Sequence, residues 1–204
     1  MTLRKISRTR RGGQGHGQAG QLRIIGGRWR GRRLGIPPSP GIRPTPDRVR
    51  ETLFNWLQMD IAGSRCLDLY AGSGALGIEA LSRGAREVVF VDADPVATRA
   101  LEAALRGLGA EAGHVVRADV PAFLTRVHEP FDIVFLDPPY GTGDVVPVLR
   151  SLDERGWLRA GGLAYLEDSA RAEAPTLPPG WTLLRSGRAG EVGYHLARRE
   201  PAKG

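Results

Sequence analysis

The stretch Asp68-Leu69-Tyr70-Ala71-Gly72-Ser73-Gly74-Ala75-Leu76-Gly77 decides the fold. It joins an apolar run, 65–70, to a helical segment, 74–83, so we predict a strand, a glycine-rich turn and a helix. Glycines permit a tight turn and let a ligand approach the backbone closely, and the first turn of a helix offers free N–H groups. The Gly-x-Gly-x-x-Gly pattern is weak evidence alone, but between a strand and a helix it predicts a nucleotide-binding loop.

Apolar strands alternate with helical segments from this loop onward. The predicted helices are 74–83, 95–107, 119–126 and 144–154, and the predicted strands are 65–70, 87–92, 114–118, 132–137, 162–167, 181–185 and 191–197. Strands separated by helices of this length predict an α/β fold, with a mostly parallel sheet and helices on both faces. No helix separates the last two strands, so we expect one of them to be antiparallel.

Acidic residues around the loop indicate which ligand it holds. Asp92 ends the second strand 20 residues after Gly72 and can accept from ribose hydroxyls; the alternative is a strand-end carboxylate that faces solvent. Asp68 can reach a cationic amino group, which S-adenosylmethionine carries and an anionic dinucleotide pyrophosphate does not. Asp119 either accepts from the adenine amino group or caps the next helix, and Asp94 is expected to be a helix cap. S-adenosylmethionine therefore fits better than a dinucleotide.

Asp137-Pro138-Pro139-Tyr140 follows the strand 132–137, at the edge where open α/β sheets bind ligands. The prolines stiffen the segment and remove two N–H donors. Carbonyl groups and a carboxylate then remain to accept from an exocyclic amine, whose lone pair is freed to attack a sulfonium methyl group. Positioning carries much of the rate of such a transfer. Tyr140 can stack on an extruded base, or it can lie in the core beside a simple Pro-Pro turn. We predict catalytic roles for Asp137, Pro138 and Tyr140, without a metal ion.

Positive charge is concentrated at the front of the chain. The first 50 residues hold 13 of the 29 Lys and Arg residues but one of the 22 acids, which predicts contact with a polyanion. We expect a disordered basic tail over 1–20, a hairpin and helix that bind RNA over 21–60, and a methyltransferase domain over 61–200. Trp29 either stacks on a base or packs the hairpin onto the sheet. Phosphate contacts are expected from Arg28, Arg30, Arg32 and Arg33.

The segment Thr45-Pro46-Asp47 is expected to open a helix. Thr45 can cap it, Pro46 suits its first turn, and Asp47 faces its positive end. Arg50 lies in the same helix and either contacts RNA or pairs with Glu51 or Asp47.

Several motifs in order resemble the RsmD family of bacterial 16S ribosomal RNA guanine-N2 methyltransferases, from about residue 22 to residue 198. Besides the loop and the tetrapeptide, they are Arg23-Ile24-Ile25-Gly26-Gly27-x-Trp29-Arg30-Gly31, Arg43-Pro44-Thr45-x-Asp47-Arg48-Val49-Arg50-Glu51 and the continuation of the loop to Arg83. The resemblance implies a seven-stranded class I methyltransferase fold, S-adenosylmethionine as methyl donor, and guanine 966 as acceptor within an assembled or assembling 30S particle. By motif position, the cofactor site contains Asp68, Ala71, Gly72, Gly74, Asp92 and Asp119, and the substrate side contains Arg43, Thr45 and Arg48.

Three other functions remain open from the residues alone. An adenine-N6 DNA methyltransferase shares the Pro-Pro-aromatic logic, but no separate DNA-reading domain is visible. A non-catalytic RNA-binding or ribosome-assembly protein could use the same scaffold, although the intact loop and tetrapeptide argue against decay. A nicotinamide-dependent oxidoreductase is the weakest alternative, because no hydride-transfer residues are evident.

Composition excludes further classes. The four histidines are scattered without metal-ligand spacing, and the single cysteine, Cys66, is interpreted as a small buried hydrophobe. No apolar stretch approaches the roughly 20 residues of a membrane span, and the basic N-terminus lacks the apolar core of a secretion signal. We therefore expect a cytoplasmic enzyme, with a monomer as the default.

Overall fold

The computed structural model describes residues 20–36, 45–127, 129–139, 145–170 and 175–201. Its helices are α1 (Asp47–Trp56), α2 (Ala75–Ser82), α3 (Pro95–Leu108), α4 (Val120–Phe123) and α5 (Val145–Glu154). Its strands are β1 (Gly20–Arg23), β2 (Arg33–Ile36), β3 (Arg65–Leu69), β4 (Glu87–Asp92), β5 (Gly113–Arg117), β6 (Phe131–Leu136), β7 (Leu158–Ser169), β8 (Trp181–Ala189) and β9 (Val192–Arg199).

Seven strands form the main sheet in the order β5-β4-β3-β6-β7-β9-β8. The first five in this order pair in parallel, whereas β9 is antiparallel to both of its neighbours. The predicted α/β fold with a seven-stranded, mostly parallel sheet is confirmed, and β9 is the expected antiparallel strand. Each strand and helix predicted from residue 65 onward is present, although β7 begins at Leu158 and is longer than expected.

Helices cover both faces of this sheet, because its central strands are apolar on both sides. One face packs against α1, α2 and α3 in a core that includes Leu53, Phe54, Leu76, Leu101, Phe135 and Tyr165. The other face packs against α4 and α5 in a core that includes Phe123, Val134, Leu149, Trp157 and Leu166. The α1 helix covers one face of the sheet, and every second residue of β6 and β7 places its side chain on that face. The segment before α1 therefore lies near the carboxyl ends of these two strands.

The strands β1 and β2 form the predicted hairpin, with a 3-10 helix, Gly27–Trp29, between them. Gly20 already belongs to β1, so the predicted boundary at residue 20 is wrong by one residue, and residues 1–19 lie outside the described part of the chain. Trp29 is 7% exposed and lies in the same core as α1. The base-stacking prediction for Trp29 is therefore wrong, because no open ring face is left, and the packing alternative holds.

Thr45 does not cap α1. The helix begins at Asp47 with Pro46 as its N-cap, and no side-chain capping bond is present there. The hydroxyl of Thr45 instead donates to a carboxylate oxygen of Glu167, 2.9 Å away, so a tertiary hydrogen bond replaces the local one. Asp47 does lie in the first turn, and it pairs with Arg50 at 2.6 Å, one of the two acidic partners considered for that arginine.

Glu79, a fully buried residue of α2, anchors the hairpin to the main sheet. Its two carboxylate oxygens accept from the backbone N–H groups of Ile25 and Gly26, each at 2.8 Å. Arg83 donates to it at 2.8 Å, and the buried Arg50 guanidinium lies 3.6 Å away. A buried carboxylate is tolerated when cations and N–H donors surround it. Glu79 and its partners therefore form a structural joint, which holds the hairpin on the main sheet.

Cys66 lies on β3 with no exposed surface, which confirms its interpretation as a buried hydrophobe. Burial raises the pKa of its thiol to about 12, so the thiol stays protonated and unreactive. Among the helices of the described ranges, none is both long and apolar enough to cross a membrane.

Candidate active site at the carboxyl edge of the sheet

The strands β3 and β6 lie side by side and parallel, with Leu69 opposite Leu136. The carboxyl ends of parallel strands meet at one edge, so the glycine loop that follows β3 and the tetrapeptide that follows β6 become neighbours. This edge is where α/β sheets bind their ligands. The juxtaposition links the predicted cofactor loop to the predicted catalytic segment.

The backbone of the glycine loop adopts left-handed conformations that explain its composition. Gly72 and Gly74 have φ angles of 52° and 73°, and a side chain on Gly74 would overlap Leu101. Tyr70 also has a positive φ, 58°, which costs a non-glycine residue conformational energy and is often found at functional sites. A hydrogen bond of 2.7 Å from the Gly74 N–H to the Ala71 carbonyl closes the turn.

Asp92 holds the loop in place from the end of β4. Its carboxylate oxygens accept from the N–H of Gly72 at 2.7 Å and from the N–H of Asp94 at 2.8 Å. Each oxygen can accept a second hydrogen bond, so the ribose role of Asp92 stays compatible with this arrangement and remains a prediction. Asp94 accepts from the N–H of Val96 at 2.7 Å and caps α3, as predicted.

Asp68 is 2% exposed, and one of its oxygens accepts from the N–H of Gly77 at 2.9 Å. Burial raises the pKa of Asp68 to about 8; repulsion from Asp92 and Glu167 adds to the rise, and the Gly77 hydrogen bond opposes it. A cationic ligand would stabilise its ionised form. Asp119 accepts from the N–H of Ala122 at 3.2 Å and caps α4, so the capping alternative is present while its adenine contact stays a prediction.

The described part of the tetrapeptide places Asp137 beside other acids. Burial raises the pKa of Asp137 well above its ordinary value, and repulsion from Glu167 and Asp68 raises it further, while a hydrogen bond with Thr45 lowers it. Pro138 is buried and Pro139 is exposed. Tyr140 lies outside the described residues, so its predicted stacking role stays a prediction. The site therefore presents a carboxyl group that does not ionise easily.

Glu167 on β7 is a functional candidate that the sequence analysis missed. It is 2% exposed, and Leu136 pairs with Leu166, so the residues that follow them, Asp137 and Glu167, are neighbours at the edge. The signal was an acid at the end of the apolar run Leu163-Ala164-Tyr165-Leu166. A charged residue at the end of a buried run, on the strand next to the catalytic one, is typical either of a functional site or of a strand end that is exposed to solvent.

The predicted RNA contacts divide between surface and interior. Thr45 is buried beside Glu167, Arg48 is exposed on α1, and Arg43 lies outside the described residues. The hairpin turn contacts Ser82 at the end of α2, and Arg32 donates to the Gly107 carbonyl near the end of α3. Helices of this fold run back from the carboxyl edge, so the turn lies toward the opposite edge of the sheet. The exposed arginines of this turn are Arg28, Arg30, Arg32 and Arg33.

The chemistry of the loop fits S-adenosylmethionine. Acids dominate the three strand ends around the loop, at Asp68, Asp92 and Asp119, and such acceptors suit an ammonium group, ribose hydroxyls and an adenine amine. A pyrophosphate would face repulsion from the same carboxylates. Within the ranges that the structure describes, no group of three or more His, Cys, Asp and Glu residues is placed to hold a metal ion.

Comparisons with known proteins show the family to which this chain belongs. The family model described as Conserved hypothetical protein 95 matches residues 22–198. Ribosomal RNA small subunit methyltransferase D of Escherichia coli is 46% identical over 185 residues, covering 91% of this chain and 93% of the relative, and its Haemophilus influenzae counterpart is 43% identical over 87% and 93%. A solved Escherichia coli methyltransferase superposes with a TM-score of 0.83 at 45% identity, covering 89% of this chain and 99% of that one.

Proposed function

We propose that this chain, which belongs to the family of the ribosomal RNA small subunit methyltransferases D, methylates the exocyclic N2 amine of a guanine in small-subunit ribosomal RNA. The chain is an S-adenosylmethionine-dependent methyltransferase, and the family resemblance drawn from its motifs is confirmed. The finer proposals are that guanine 966 is the acceptor, that the substrate is an assembled or assembling 30S particle, and that the enzyme is a cytoplasmic monomer.

One observation carries this proposal: the glycine loop and Asp137 end neighbouring parallel strands, so one edge can hold both the methyl donor and its acceptor. When bound, S-adenosylmethionine supplies a methyl group on a positively charged sulfur. Asp68, Ala71, Gly72, Gly74, Asp92 and Asp119 would hold it. Asp137 and the carbonyl groups of the proline segment would accept from the amine and orient its lone pair toward the methyl carbon. Orientation of this kind lowers the barrier because no further entropy is lost on reaction.

The exposed arginines of the hairpin turn support a nucleic acid as the acceptor. They lie toward the edge of the sheet opposite Asp137, and α2 between them is roughly 12 Å long. At that distance they would contact phosphates of flanking RNA rather than the target base, so they position the substrate without reading it. Contacts spread over such a distance favour a large folded RNA, and this favours the 30S particle over a short single strand.

The test measures label transfer from radiolabelled S-adenosylmethionine to naked 16S RNA, 30S particles, 50S particles and DNA, each in a separate reaction. We expect N2-methylguanosine in small-subunit RNA, mapped to position 966 by primer extension, with the highest rate on 30S particles. The Asp137→Ala variant serves as the control for contaminating activity. Label in N6-methyladenosine, or in DNA alone, would overturn the proposal and favour the adenine alternative.

A further inference from the structure

Glu167 occupies a position that the methyl-transfer scheme above does not use. The register of β6 and β7 places it next to Asp137, on the sheet face that α1 covers. It is 2% exposed, and no cation is among the contacts that the structure gives for it. A buried carboxylate without a cation is costly, so its position needs an explanation beyond packing.

The hydrogen bonds of Glu167 limit which of the neighbouring groups can be protonated. A single carboxylate oxygen, Oε1, accepts from the Tyr165 hydroxyl at 2.8 Å and from the Thr45 hydroxyl at 2.9 Å. The Thr45 hydroxyl also interacts with Asp137, and as a donor it lowers the pKa of that carboxyl group. A hydroxyl group has one proton, so Thr45 can donate to only one of the two carboxylates at a time. Both contacts of Thr45 can be hydrogen bonds at once only when one of the two carboxyl groups is protonated.

The groups around Asp137 and Glu167 also favour a state in which one of these two carboxyl groups is protonated. Among the described residues, the titratable groups that face this pair are Asp68 on β3, Tyr165 on β7 and Tyr194 on β9, and Thr45, before α1, contributes a neutral hydroxyl. Burial raises the pKa of both Asp137 and Glu167, and repulsion from Glu167 raises that of Asp137 further. Two such carboxyl groups cannot both ionise easily, so they titrate as a unit that holds one proton.

Resting on the proposed function, we propose that Glu167 is a positioning residue that acts through Thr45 and Asp137 and stores the proton released by the guanine amine. During transfer, the N–C bond forms and the sulfur keeps the electron pair of the broken S–C bond. The nitrogen then passes a proton to the second oxygen of Asp137. Asp137 passes its own proton to the Thr45 oxygen, and Thr45 passes its proton to Glu167. Both carboxyl groups end neutral, and the hydroxyl of Thr45 is restored.

The first experiment measures the single-turnover rate against pH, with saturating cofactor and 30S particles. In Glu167→Gln, the acid limb moves to lower pH because the repulsion on Asp137 is gone. In Thr45→Val, the limb moves to higher pH because the carboxyl groups lose a donor. Both variants lose about 10- to 100-fold in rate at the plateau, which is modest for a proton-transfer defect, while KM for RNA stays within about twofold. Thr45→Ser keeps the hydroxyl and retains the wild-type profile.

Asp168→Asn is the matched control, because it makes the same chemical change one residue away, on the opposite face of β7, where its carboxylate accepts from Ser169. Its pH profile should match the wild type. A uniform loss of rate in Glu167→Gln with an unmoved acid limb would assign Glu167 a purely structural role and overturn the proposal. A wild-type profile in Thr45→Val would also overturn it, because the proton path needs that hydroxyl.

The second experiment needs no RNA and separates this proposal from the proposed function. Carboxyl groups of ¹³C-labelled Asp and Glu are titrated by NMR in the cofactor-free protein, after thermal unfolding has shown that each variant is folded. We expect Asp137 and Glu167 to titrate in two coupled steps, and Asp137 to titrate in one step at lower pH in Glu167→Gln. Independent single steps in the wild type would overturn the proton store, even if guanine methylation is observed. Coupled steps without RNA methylation would refute only the proposed function.

Discussion

Two buried glutamates, Glu79 on α2 and Glu167 on β7, have opposite surroundings. Glu79 lies between two arginines and accepts from two backbone N–H groups of the hairpin. Glu167 accepts from two hydroxyl groups and lies beside another carboxyl group. Both are almost fully removed from water, so exposure does not separate them. The two glutamates differ instead in the sign of the neighbouring charges, which is positive around Glu79 and negative around Glu167.

This difference separates a structural joint from a chemical site. Glu79 lies between two arginines, and its ion pairs and hydrogen bonds hold the hairpin on the main sheet. Burial raises the pKa of both Glu167 and Asp137, repulsion from Glu167 raises that of Asp137 further, and carboxyl groups with raised pKa values are common at catalytic sites.

The largest effect is expected from Asp137→Ala, which removes the carboxyl group at the centre of the acidic region. Methyl transfer should fall about 10³-fold or more, because the amine loses both its acceptor and its proton path. Cofactor affinity, measured by calorimetry with S-adenosylhomocysteine, should stay within about threefold, because the glycine loop belongs to β3 and α2. Loss of cofactor binding would show instead that Asp137 supports the loop.

Glu79→Gln and Glu167→Gln make the same chemical change in the two regions. Glu79→Gln should lower the free energy of unfolding by about 3 kcal/mol, because it leaves the buried Arg50 without one of its acidic partners. Glu167→Gln should change stability by less than about 1 kcal/mol, because the amide still accepts from Tyr165 and Thr45 while the repulsion disappears. Denaturant unfolding measures both values. Equal losses in the two variants would contradict the division between joint and site.

The sequence predicts the strands and helices that carry the two glutamates, but it does not predict which residues the glutamates contact. Alternating apolar strands and helices are local patterns, so the seven strands and the mostly parallel sheet around the glycine loop follow from them. The contacts of Glu79 and Glu167 join segments more than 50 and 120 positions apart, and no local pattern encodes such pairs. Thr45 illustrates the limit: its position before Pro46 is typical of a helix cap, but a tertiary carboxylate outcompetes the local N–H groups.

A further variant tests the hairpin surface that the structural joint holds on the main sheet. It replaces Arg28, Arg30, Arg32 and Arg33 by alanine. Loss of up to four phosphate contacts should weaken RNA binding and reduce the slope of log affinity against log salt by about 3 to 4. The rate with saturating RNA should be retained, because these residues are remote from Asp137. The control replaces exposed arginines of α5, of the turn that follows it and of β8, namely Arg150, Arg155, Arg185 and Arg188. If the control reduces the slope equally, the RNA contact does not lie on the hairpin.

The smallest effect concerns Asp68, whose pKa is raised to about 8 in the acidic region. In the proposed cofactor site the ligand's ammonium group meets the ionised carboxylate of Asp68, so S-adenosylhomocysteine should bind more tightly as pH rises toward 8, approaching tenfold per pH unit, and should level off above it. The folded state holds this proton longer than the unfolded state, so the free energy of unfolding should fall as pH rises from about 3.8 to about 8. Asp68→Asn should flatten both dependences, measured by calorimetry and denaturant unfolding. If the binding slope persists in Asp68→Asn, another acid of the cluster, such as Asp137, meets the cation, and the acidic region acts as one unit rather than as separate cofactor and catalytic carboxylates.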